Sequence, residues 1–119
     1  MKVAIIGAGL AGLACAHELE RLGIVPDLYE RNAFIGEPFS HSTAMLRLVD
    51  RPPNGDYLRY FREKLQIDIT PLAPVERMMH HAPTRKLMVS GKNLGFFFLR
   101  ANTRDSVKNQ IFAALKKTR

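Results

Sequence analysis

Tryptophan is absent from the 119 residues, and cysteine occurs once, at Cys15. A lone thiol has no partner for an internal disulfide, which excludes a cross-linked secreted scaffold and makes a reducing, cytoplasmic setting the expectation. Cys15 itself is expected to be a small buried helix residue. Metal ligands are equally scarce. His80 and His81 are adjacent, neighbours on a strand point to opposite faces, and no other histidine or cysteine stands at ligand spacing, so no metal site is expected. No stretch reaches the roughly 20 apolar residues of a membrane span. The apolar run from Val3 to Cys15 follows a single lysine and is punctuated by glycines, so no targeting segment is expected either. Ser40-His41-Ser42 has no acid beside it and lies in no nucleophile-elbow sequence, which leaves hydrolase chemistry without support.

Acidic residues are few in the second part of the chain. Residues 51–119 carry 14 Lys or Arg against 5 Asp or Glu, residues 1–50 carry 4 against 6, and the whole stands at +7. A basic nucleic-acid module is the class this balance raises. The cations are scattered, however, and only Lys116-Lys117-Thr118-Arg119 is a cluster, one that suits the end of a helix. A solvated face, or a surface meeting another part of the protein and its cofactor phosphates, is the preferred reading, with no nucleic acid as partner.

What the chain does have is concentrated between residues 3 and 30. Val3-Ala-Ile-Ile6 is apolar and β-branched, Gly7-Ala8-Gly9-Leu10-Ala11-Gly12 follows, and Ala16 and Leu19 continue a helical face that Gly23 stops. Leu28-Tyr29-Glu30 then reads as a second strand ending in an acid. Strand, glycine turn, helix and strand make a dinucleotide-binding βαβ unit. Gly7 serves the tight turn, Gly9 lets the backbone approach a pyrophosphate, and Gly12 lets the helix pack close to the sheet. A helix starting near Leu10 points its free N–H groups, those of Leu10 and Ala11 among them, and its positive dipole end at that pyrophosphate. Glu30, 18 residues after Gly12, is placed to bind a ribose hydroxyl. Its charge disfavours a 2′-phosphate, an argument that Arg31 beside it weakens. Ser42 and Thr43, in the loop expected after the second strand, are further candidates for a cofactor phosphate.

Ala4-Ile5-Ile6-Gly7-Ala8-Gly9-Leu10-Ala11-Gly12-Leu13, Ala16, Leu19, Gly23, Leu28-Tyr29-Glu30-Arg31 and Gly36 together resemble the N-terminal FAD-binding segment of the flavoprotein family that includes glutathione reductase, the aromatic-ring hydroxylases and the geranylgeranyl reductases. The resemblance implies that the three glycines hold the FAD pyrophosphate and that Glu30 binds the adenosine ribose. Pro26 and Asp27 stand where that family has a β-branched apolar residue, so the second strand is expected to be short. Phe34-Ile-Gly-Glu-Pro-Phe-Ser-His41 replaces the family's glycine pair and arginine. The late Gly-Asp pair that completes the family's FAD site has no counterpart, since Gly55-Asp56 reads as a helix start. The chain therefore resembles the front part of a flavoenzyme, and catalysis by it alone is not expected.

Beyond residue 50, Asn54 to Leu65 is expected to be a helix capped by Asn54 or Asp56. Ile67 to Thr70, Val75 to His81, Lys86 to Ser90 and Leu94 to Arg100 are expected strands, the last two separated at Gly91-Lys-Asn93. A final helix capped by Asn102 or Thr103 would turn Val107, Ile111, Ala114 and Leu115 to one face. In the hydroxylase and geranylgeranyl reductase branch a strand ending in arginine precedes a helix opening with an acid. Phe98-Leu-Arg100 and Thr103-Arg-Asp105 resemble that junction, which would put Arg100 near a phosphate or ribityl oxygen.

The fold expected is α/β: a Rossmann-like βαβ unit and cofactor loop over residues 1–50, with a helix, a small antiparallel sheet and a C-terminal helix over 51–119, packed as one domain. The function expected is that of an FAD-dependent oxidoreductase of monooxygenase or reductase type. The alternatives are an NAD-binding dehydrogenase module and a noncatalytic nucleotide-binding subunit completed by a second chain.

Overall fold

A computed structural model describes residues 1–35, 41–46 and 56–118. β1 (Ala4–Ile6) and β2 (Asp27–Tyr29) pair in parallel, with Ile5 opposite Leu28. Between them runs α1 (Leu10–Arg21), which buries Leu13, Ala16 and His17. The alternation of strand side chains turns Ile5 and Leu28 to the core and leaves Ile6 and Tyr29, opposite one another, 83% and 56% exposed on the reverse face. Buried Pro26 stands just before β2, and the first ladder hydrogen bond comes from the Asp27 N–H to the Val3 carbonyl at 2.9 Å. The second strand is thus short, as its proline implied. α1 closes where expected: Gly23, at φ +78°, donates its N–H to Glu20 O, and Ile24 donates to Leu19 O, a pair of bonds that satisfies the last carbonyls of the helix.

The second sheet is antiparallel, in the order β3 (His41–Leu46), β5 (Arg85–Arg100), β4 (Ala73–Ala82). Phe96 and Phe98 of β5 point into the core while Phe97 points out, the alternation of a sheet covered on one face. Before β4, Asp56 caps α2 (Tyr57–Tyr60) by accepting the Arg59 N–H at 3.1 Å, and the helix widens into a π turn over Phe61–Leu65 that Gln66 ends at φ 56°. α3 (Val107–Ala114) follows β5 and is capped by the Ser106 hydroxyl, which accepts the Asn109 N–H at 3.3 Å. One apolar core joins Ile5, Ala8, Leu13 and Ala16 to Ile67, Ile69, Phe96, Phe98, Val107, Ile111 and Leu115.

Several expectations are corrected. The two strands expected over Lys86–Ser90 and Leu94–Arg100 are one 16-residue strand. Its pairing moves from Val75–Gly95 to Arg77–Ser90, so Gly91 to Leu94 bulge out against a single residue of β4 without breaking the strand. Ile67 to Thr70 form no ladder, although Ile67 and Ile69 are buried. The Gln110 side chain takes the place of a neighbouring strand there, accepting the Thr70 N–H at 2.7 Å and donating to the Thr70 carbonyl at 3.0 Å. The cap of α3 is Ser106 and not Asn102 or Thr103, because the chain makes a further turn, closed by the Ser106 N–H on Thr103 O, before the helix begins. Cys15 is exposed, lying on the side of α1 opposite the core. Lys116 and Lys117 lie beyond the end of α3. Asn54, the other cap expected for the helix before β4, falls outside the described residues.

Candidate functional site

The carboxyl ends of β1 and β2, side by side in a parallel pair, bring the glycine turn and Glu30 together. Gly7 leaves β1 at φ +98°, a region open to glycine and strained for other residues, and donates its N–H to Tyr29 O at 2.7 Å. A β-carbon built on Gly12 would stand 2.0 Å from the Gly7 carbonyl oxygen and 3.3 Å from the Ile5 side chain. Only glycine lets α1 approach the strand this closely.

Gly9 is different. It is the N-cap of α1, at an ordinary φ of −73°, and a β-carbon there would meet nothing within 4 Å. No side chain caps the helix, and the N–H groups of Leu10, Ala11 and Gly12 have no acceptor one turn back. The first backbone bond of the helix comes from Leu13 N–H to Gly9 O at 2.9 Å. Nothing in the folded chain requires the missing side chain at Gly9. An anion held against the three N–H groups does require it, and a dinucleotide pyrophosphate fits that description.

Glu30 reaches back to the same turn. Its Oε2 accepts the Ala8 N–H at 2.8 Å and its Oε1 accepts the Asn32 N–H at 2.9 Å. The Asn32 bond, then the Ala8 bond, hold the Glu30 carboxyl below the usual carboxylate range, and the neighbouring Arg31 charge acts in the same direction. The group is a carboxylate throughout the physiological range. Each of its oxygens retains a lone pair beyond the bond it makes to the backbone. Ile6, Gly7, Tyr29, Glu30 and Arg31 line a cleft of about 490 Å³, so Arg31 faces the same space as the acid.

The remaining expected site residues gather elsewhere. Ser42 and Thr43 are not in a loop: they lie on β3, paired with Leu99 and Phe98 of β5, because the chain after β2 re-enters a sheet. Arg100 ends β5 opposite His41. All three residues lie at one end of the antiparallel sheet, a different sheet from the one that carries the glycine turn, and strand alternation puts Thr43 and Arg100 on the face of buried Phe98 and Ser42 on the opposite face. Sequence reasoning passed over Ala8, whose N–H is the donor to Glu30. Its position between two glycines identified the turn but not the direction of its amide. Among the described residues no cluster of three or more His, Cys, Asp or Glu could hold a metal ion. No described helix is long and apolar enough to cross a membrane.

Zeta-carotene desaturase of Synechocystis sp. is 58% identical over 36 residues, which take in 30% of this chain and 7% of the desaturase. The similarity therefore covers a small part of that relative. The family model described as DAO, FAD dependent oxidoreductase, matches residues 2–93. With a match of that extent, beginning two residues before the first strand, the chain belongs to the DAO family of FAD-dependent oxidoreductases.

Proposed function

We propose that residues 1–35 form the cradle for the adenosine diphosphate end of FAD, within an FAD-dependent oxidoreductase. Gly7, Gly9 and Gly12 shape the turn, the N–H groups of Leu10, Ala11 and Gly12 hold the pyrophosphate, and Glu30, with Arg31 beside it, meets the adenosine ribose. The observation that carries the proposal is Gly9: a residue without a side chain, facing open space, at the uncapped amino end of α1. Bound FAD would supply the electron chemistry through its isoalloxazine ring. The chain's own residues bind and orient it.

Thr43 and Arg100, on one face at the end of the antiparallel sheet, belong to the same proposal in a second place, as polar groups for the remainder of the cofactor, with Ser42 on the opposite face. Of the junction expected for the aromatic hydroxylase and geranylgeranyl reductase branch, the strand ending in Arg100 is present, but α3 opens at Val107 with no acid in its first turn, so kinship with that branch gains no support from Asp105. Completion of the flavin site by further polypeptide, in this chain or a second one, is part of this reading.

The visible spectrum tests it. After addition of FAD and gel filtration, the protein fraction is expected to be yellow, with the absorption of an oxidised isoalloxazine ring near ~450 nm. A colourless fraction that is stabilised against heat by NADH and not by FAD would favour a dehydrogenase module instead.

A further inference from the structure

The proposed cradle leaves one hydrogen bond without a role. Ala8 is 2% exposed, its methyl group packed in the core, and its N–H is received by the Glu30 carboxylate 22 residues away. A ribose contact does not need this bond, since each Glu30 oxygen keeps a lone pair beyond its backbone partner. The grip has a local logic. β1 and β2 share only three residue pairs, and Gly7, at the end of that ladder, takes a left-handed conformation that is soft for glycine. Two consecutive N–H groups of the turn, Gly7 and Ala8, are taken up by the end of β2, the first by a backbone carbonyl and the second by the Glu30 side chain. The other oxygen of the same carboxylate holds the Asn32 N–H, so one side chain ties the turn after β1 to the turn after β2.

We propose that Glu30 is a positioning residue for the phosphate turn, fixing the backbone of Gly7 to Gly9 before a cofactor arrives, in addition to any contact it makes with ribose. The proposal rests on the reading of this site as a dinucleotide cradle. It divides the donors: the Ala8 N–H is spent inside the protein, and phosphate recognition falls to Leu10, Ala11 and Gly12. Removing the carboxylate leaves a nearly buried Ala8 N–H without its acceptor, a state the turn relieves by moving.

Two variants separate this role from ribose binding. Glu30→Asp keeps the charge and is one methylene shorter, so it no longer spans both turns. Glu30→Gln keeps the length and offers one acceptor oxygen in place of two. Amide hydrogen exchange on the full chain without cofactor reads the clamp, and inorganic pyrophosphate, which has no ribose, reads its effect on the turn. The expectation is that Ala8 exchange accelerates by about tenfold or more in both variants, the scale of one lost hydrogen bond. Amides of β5 and α3 should keep their protection, and Glu30→Asp should bind pyrophosphate several-fold more weakly than the parent. Unchanged Ala8 protection in both variants overturns the proposal. So does accelerated exchange with undiminished pyrophosphate affinity, because the turn would then need no clamp. If the parent chain binds neither pyrophosphate nor FAD while Ala8 exchange still accelerates in the variants, the clamp stands and the cofactor reading falls.

Discussion

A methyl group added at Gly12 would stand 2.0 Å from the Gly7 carbonyl oxygen, whereas one added at Gly9 would touch nothing. Gly12→Ala forces helix and turn apart, an overpacking cost of about 1–3 kcal/mol set against a helix-propensity gain of at most about 1 kcal/mol. A lower urea midpoint is therefore expected for Gly12→Ala. Gly9→Ala should leave the midpoint within about 0.5 kcal/mol of the parent and reduce FAD affinity by about tenfold or more, the equivalent of one displaced phosphate hydrogen bond. Equal loss of stability in the two variants would show that both glycines serve packing alone. At this scale the sequence was most informative, because the three glycines act within one turn and their spacing is the record of that turn. Cys15 shows where it was not. Its small apolar character suited the core, but the buried stripe of α1 passes through Leu13, Ala16 and His17 and leaves Cys15 outside.

Strands and helices were legible in proportion to how local their hydrogen bonds are. The βαβ unit closes within the first 30 residues, and its period, glycines and flanking apolar residues agree with one another. The segment from Ile67 to Thr70 alternates as a strand does, and its burial alternates too, yet its partner is a side chain 40 residues away. Alternation records which side chains are buried, not which backbone lies alongside. Gln110→Ala removes three hydrogen bonds at once, two to Thr70 and one donated to the Asp105 carbonyl at 2.8 Å. All are solvent-accessible, so a loss of about 1–2 kcal/mol is expected in urea unfolding. Gln110→Glu tests the donor half alone: a carboxylate still accepts the Thr70 N–H but donates to neither carbonyl. It should fall between the parent and the alanine variant, and stability equal to the parent would show that the two donated bonds contribute nothing.

A hydrogen-bonded tie of long range joins α1 to the segment after α3. The Glu20 carboxylate accepts the N–H groups of Lys116 at 2.8 Å, Lys117 at 2.9 Å and, closest of all, Thr118. Burial raises the Glu20 pKa, but the Thr118 side chain and the three backbone N–H groups outweigh it and bring the carboxyl to about 2 from an ordinary 4.5. A pKa depressed in the folded state means that the stabilisation is complete above about 4.5 and fades as the pH falls toward 2. The difference in urea midpoint between the parent and Glu20→Gln should accordingly be largest near neutral pH and shrink through that acid interval. A constant difference would mean that the charge on Glu20 is irrelevant to the tie. Nothing in the sequence announced this contact, since three consecutive backbone amides carry no signature in residue type.

That tie also changes what a break in the chain would do. Pro83 and Thr84 form the exposed tip between β4 and β5, and a protease cut there would give two polypeptides that no covalent bond connects. They would still be stitched in at least four places: β4 along β5, β3 along β5, Thr70 against the Gln110 side chain, and Glu20 in its ring of amides. The molecule is thus built like a woven object rather than a string of beads, and a preparation nicked at the tip should migrate as one particle until denaturant parts the strands.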